Sequence, residues 1–96
     1  MENKNVVLGK MGEPIFSKIA THPGTVVKDE IEERKLVKIE VAKTLGILPS
    51  HLSELFKGKR NISPAMALKL QQLLDIQAET WLALQNRYDL TVLRSL

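Results

Sequence analysis

From His22 onward the apolar residues recur at three- and four-residue steps, broken at intervals by glycine and proline, and this pattern predicts a row of short helices. The first opens at His22-Pro23-Gly24, where proline at the first helical position loses no needed N–H; Asp29 and Glu30 are expected early on it, with Val27 and Ile31 on its inner face. Val41 and Leu45, four apart, define a second helix from Lys38 to Leu45, and Gly46 follows where a left-handed residue can close it. A third opens at Pro49 or Ser50, is expected to bury Leu52, Leu55 and Phe56, and ends near Gly58. Ser63-Pro64 is a restart, the serine oxygen capping free N–H groups, and the helix it opens runs to about Leu74 with Ala67, Leu70 and Leu74 inward. A last helix begins near Ala78 or Glu79, with Trp81, Leu84 and Tyr88 as its stripe.

Residues Met1 to Thr21 show no sustained period and are interrupted by Gly9, Gly12 and Pro14, which predicts a weakly ordered, flexible N-terminal arm docked at most through Ile15, Phe16 and Ile19. The division expected is therefore an arm over 1–21 and a domain over 22–96. A chain of 96 residues with 44% hydrophobic content supports one modest core, and only 4% aromatic residues favours an all-α fold packed by aliphatics over a many-stranded sheet. With no cysteine there is neither a disulfide nor a thiolate metal site, and the chain suits a reducing compartment. Its longest apolar runs fall far short of the roughly 20 residues that cross a bilayer. No signal pattern opens it, so a cytoplasmic protein with no membrane partner is expected.

Val41, Ala42, Leu45, Gly46, Ile47, Leu52 and Leu55 have the spacing of two short helices crossing over a tight turn, the helix-turn-helix pattern. Ala42 has to be small where the second helix passes, Gly46 supplies an unusual backbone angle, and Ile47, Leu52 and Leu55 seal the angle between the helices. The formal net charge of +3 is mild, but its distribution is not: Lys38, Lys43, Lys57, Lys59 and Arg60 face only Glu40 and Glu54 in this stretch, whereas Asp29 to Glu33 is mainly acidic. A helix of this size fits the major groove, so Ser50, His51, Ser53 and Glu54 are the candidates for base edges and Lys38, Lys43, Lys57, Lys59 and Arg60 for phosphates.

Each of these features also has a plainer reading. Any helical hairpin with a glycine turn can imitate the motif, a charge run is commonly a solvated face, and an exposed helical histidine such as His51 is often just hydrated. His22 reads as a capping or packing residue, because no second histidine or carboxylate pair keeps metal spacing with it. Trp81 is assigned to the core. Tyr88, Leu90, Val92 and Leu93 lie where a small domain has little left to cover them, which suggests a dimer contact. No nucleophile-base pair, phosphate loop or metal-ligand cluster is present, so no catalysis, cofactor or metal is expected.

From His22-Pro23-Gly24 through Asp89-Leu90 the chain resembles the HigA family of addiction-module antitoxins, a branch of the lambda-repressor-like, Xre-type helix-turn-helix proteins. The resemblance is carried by that opening, by Leu52-Ser53-Glu54-Leu55 with Gly58-Lys59-Arg60, by Ile62 to Leu68, and most specifically by Trp81 to Leu90. It implies a five-helix DNA-binding domain, dimerisation through the C-terminal region, repression of the chain's own operon at an operator with an inverted repeat, and neutralisation of a RelE/HigB-like mRNA-cleaving toxin. Val37 and Lys38 depart from it, standing where the family usually has Ser or Thr and then Gln; the missing cap costs about 1 kcal/mol. Pro49 occupies a position where related repressors often place a base-reading side chain, so base contacts fall to Ser50, His51 and Glu54. The alternatives are a stand-alone repressor of the same fold and a helical protein-interaction module that has lost DNA binding.

Overall fold

A computed structural model of the chain describes residues 21–96, and the arm expected over 1–21, with Ile15, Phe16 and Ile19, lies outside them except for Thr21. Among the described residues there are five helices and no strand: α1 Pro23–Glu33, α2 Lys38–Leu45, α3 Pro49–Phe56, α4 Pro64–Leu74 and α5 Ala78–Arg94. The described residues are all-α, the five-helix arrangement that the periodicity and the resemblance imply.

The start of α1 explains all three residues that open it. His22 is the N-cap, and its Nδ1 accepts a hydrogen bond from the Gly24 N–H at 2.9 Å, a role that requires that nitrogen to be unprotonated. Pro23 follows in the first turn, and Gly24 lies so close to α3 that an added Cβ would stand 1.8 Å from the Leu55 carbonyl oxygen. The Asp29 and Glu30 expectation is corrected: with the helix starting at Pro23 they fall in its second half, and no acid occupies the first turn. The imidazole, rather than a carboxylate, serves that end.

α1 packs against α3 and α5, and α2 against α3 and α4, around a core of Val27, Ile31, Val41, Ala42, Leu45, Leu52, Leu55, Ile62, Met66, Ala67, Leu70, Leu74, Ala78 and Trp81. Each large aliphatic there contributes about 1.5–3 kcal/mol by leaving water. Phe56, expected inside, is only partly buried at the end of α3, beneath the Lys38 ammonium at 5.7 Å. On α5 the fully inward line runs through Ala78, Trp81 and Gln85, with Leu84 and Tyr88 half-buried beside it, so one of its deepest positions is polar.

Side chains finish several helix ends. Ser63 Oγ accepts from the Met66 N–H at 3.2 Å at the start of α4, and Gln71 Oε1 accepts from the Ala78 N–H at 2.8 Å at the start of α5. Val37, before α2, offers no side-chain cap. No helix among the described residues is long and apolar enough to cross a membrane.

Candidate nucleic-acid interface

α2 and α3 are joined by a turn that begins at Gly46, whose φ of 70° and ψ of 33° lie in the left-handed region that a side chain would strain. The Gly46 and Ile47 N–H groups return to the carbonyls of Lys43 and Ala42 at 3.1 and 2.9 Å, closing α2. A further bond reaches in from α4, where Lys69 Nζ donates to the Leu45 carbonyl at 3.0 Å. Beneath the turn Val41, Ala42, Leu45, Leu52 and Leu55 are buried and Ile47 is partly so. The angle between the two helices is thus fixed by packing on one side and by capping on the other.

This arrangement turns one face of α3 outward. Ser50, Ser53, Glu54 and Lys57 follow one another at three- and four-residue steps along it; Ser50, Ser53 and Lys57 are exposed, while Glu54 and the adjacent His51 are half-buried. At the N-terminal end stand Leu48, 71% exposed, and Pro49, with no side-chain cap. Lys38, Pro49, Leu52, Ser53 and Phe56 line a shallow cleft of about 140 Å³ between α2 and α3.

The candidate cations are not equivalent. Lys57 and Lys59 are exposed and belong to no ion pair among the described residues, Lys43 lies 3.8 Å from Glu40 on the same helix, and Lys38 is over Phe56. Arg60 Nε donates to Glu54 Oε1 at 2.7 Å. That hydrogen bond and the guanidinium charge, helped by His51 and Lys59, hold the Glu54 carboxyl below its ordinary range. One candidate base reader and one candidate phosphate contact are therefore a pair in the free protein, which six-residue separation across a helix end does not announce.

Two further groups escaped the sequence reading. Lys69 lies outside the motif yet closes its first helix, and Gln85, 4% exposed, accepts from the Ile62 N–H at 2.8 Å and donates to Asn61 Oδ1 and Asp89 Oδ1 at 3.2 and 2.9 Å. A lone glutamine four residues after a buried tryptophan is the only trace of this in the sequence. The Tyr88 and His22 rings meet in a T-shaped arrangement, centroids 4.7 Å apart, whereas Leu90, Val92 and Leu93 are exposed on the last turns of α5.

Residues 27–81 match the family model described as helix-turn-helix. The chain is 41% identical over 71 residues to virulence-associated protein A' of Dichelobacter nodosus, a match covering 73% of this chain and 62% of that protein's length. It is 35% identical over 75 residues to an uncharacterized HTH-type transcriptional regulator of Escherichia coli K12, across 76% of this chain and 80% of the relative. In three dimensions it is similar to the Pseudomonas aeruginosa antitoxin HigA solved with the higBA promoter, with a TM-score of 0.74 and 27% identity, covering 80% of this chain and 85% of that one. None of the three is named as an enzyme.

Proposed function

The chain belongs to the helix-turn-helix family, in its HigA-like branch, and on that premise we propose that it is a cytoplasmic antitoxin that represses its own operon and neutralises a RelE/HigB-like mRNA-cleaving toxin. The observation that carries the DNA half of this reading is the outward face of α3, held by the Gly46 turn and flanked by Lys57, Lys59 and Arg60. A helix of these dimensions enters the major groove, where Ser50, His51, Ser53 and Glu54 are within reach of base edges. Lys38, Lys43, Lys57, Lys59 and Arg60 would fix the register by neutralising phosphates. Two copies, joined through Tyr88, Leu90, Val92 and Leu93, would place two reading helices on an inverted repeat. The toxin half rests on the likeness to an antitoxin.

The test is titration of the purified protein against its own upstream region at several salt concentrations, with a scrambled duplex as control, followed by footprinting. A protected inverted repeat with half-sites about one helical turn apart is the expected result. Equal, salt-sensitive binding to both duplexes, or none, would leave a protein-interaction module. For the toxin, co-expression with the neighbouring small reading frame is expected to relieve growth arrest and yield a co-purifying complex. Absence of such a frame leaves a stand-alone repressor.

A further inference from the structure

Between α3 and α4 the chain runs from Lys57 to Ser63; the Lys57, Gly58 and Lys59 N–H groups still return to the Ser53, Leu55 and Glu54 carbonyls of α3 at 3.2, 3.0 and 2.9 Å, and the loop carries the exposed cations Lys59 and Arg60. Those bonds fasten the start of the loop to α3, and side chains fasten the rest. Arg60 is paired with Glu54, and two further contacts come from outside α3 and the loop. Near the start of the loop, Gly58, at φ 76°, packs against the His22 ring, where an added Cβ would meet Cγ at 3.3 Å, and the same ring meets Tyr88 of α5. At its end, Gln85 takes the Ile62 N–H with its carbonyl and gives its NH₂ to Asn61 and to Asp89.

We infer that Gln85 is a positioning residue for DNA binding: from the core it sets the loop that brings Lys59 and Arg60 to the phosphate backbone. This rests on the DNA-binding reading above. A glutamine is suited to the task because one side chain supplies both an acceptor for a backbone N–H and two donors. It is buried, so its bonds do not compete with water, and an apolar residue there would leave the Ile62 N–H and the Asn61 carbonyl oxygen without these partners. Asp89, accepting from the same NH₂ one turn later on α5, orients the amide. The arrangement also links the loop to the stretch of α5 that leads to the exposed Leu90, Val92 and Leu93.

The test compares the wild type with Q85L, which keeps bulk and burial but removes the hydrogen bonds, and with the exchange Q85E/D89N. In the exchange the new carboxylate still accepts from Ile62 N–H and now also accepts from the flipped Asn61 amide and from the new NH₂ at position 89, so every bond is kept, the last two with donor and acceptor reversed. Binding is measured well below each variant's melting temperature, where global stability does not enter. Q85L is expected to lose about tenfold in operator affinity, with a log–log salt dependence shallower by about one to two, the equivalent of one or two lost phosphate contacts. Adding K59E and R60E is expected to weaken the wild type strongly and to have little further effect in Q85L. Amide exchange at Lys59 to Asn61 should quicken in Q85L, and Q85E/D89N should restore both exchange and binding.

Should Q85L fail to fold, the exchange variant with the K59E/R60E comparison decides alone: binding and exchange like the wild type support the inference, and weakened binding with an unaltered salt dependence overturns it. Wild-type affinity and salt dependence in a folded Q85L, or an undiminished effect of K59E/R60E in it, also overturns it while leaving the DNA-binding reading intact. No operator binding by the wild type removes that reading and this one together.

Discussion

Gly24 and Glu54 represent the two ways a single residue matters here, by absent bulk and by charge. A methyl group at Gly24 would lie 1.8 Å from a backbone oxygen, not from a side chain that can rotate away, so α1 and α3 must separate. G24A is expected to cost about 3 kcal/mol, the upper end of the overpacking range, visible as a lowered urea midpoint. Glu54 is exposed enough that its pair with Arg60 adds little to stability. Its carboxyl is nevertheless held low by that hydrogen bond, so the attraction is complete above the ordinary glutamate range and is lost as pH falls through the depressed value. NMR titration of the Glu54 carboxyl is expected to show its midpoint rise in R60Q; an unmoved midpoint would mean the pair is not formed in solution.

At the scale of the element, α2 is the helix whose two ends are served least alike. Its N-terminus has Val37 and no side-chain cap, while its C-terminal carbonyl at Leu45 is taken by Lys69 from α4. Val37 is 63% exposed, so V37S gives up little packing and supplies the missing acceptor, for an expected gain of about 1 kcal/mol in thermal or denaturant unfolding. K69M, which keeps an apolar stem and removes the donor, is expected to lose about 1 kcal/mol. If the two changes shift stability in the same direction, capping is not what limits α2.

For the molecule as a whole, the last turns of α5 leave Leu90, Val92 and Leu93 at 46%, 41% and 64% exposure, with the core already filled by Ala78 and Trp81 earlier on the same helix. Nothing among the described residues covers these apolar side chains. If two copies meet there, L90D/L93D should sediment as a monomer, retain its helical circular dichroism, and bind an isolated half-site as the wild type does while losing most affinity for the full repeat. An unchanged sedimentation coefficient would place the dimer contact elsewhere.

Local chemistry made the helices legible. Pro23, Gly46, Pro49 and Ser63-Pro64 punctuate the chain because each acts on its immediate neighbours, and the three- and four-residue steps of Val27, Val41, Leu45, Leu52, Leu70 and Trp81 name the faces that turn inward. The outward face of α3 follows from the same steps, so Ser50, Ser53, Glu54 and Lys57 could be found together without coordinates. Long-range contacts stayed hidden: Gly24 against Leu55, Lys69 on Leu45, and Gln85 on Asn61 and Ile62; so did the shorter pair of Arg60 with Glu54 around the end of α3. Apolar periodicity carries no information about a polar side chain that is buried because its partners are supplied from elsewhere. By itself the sequence determined which segments are helical and which faces they bury, since those depend on neighbours a few residues apart. How the far end of the charged loop is held, and by what, was decided only when α3, α4 and α5 closed around it, because the bonds of Gln85 to residues more than 20 positions away exist only in the packed state.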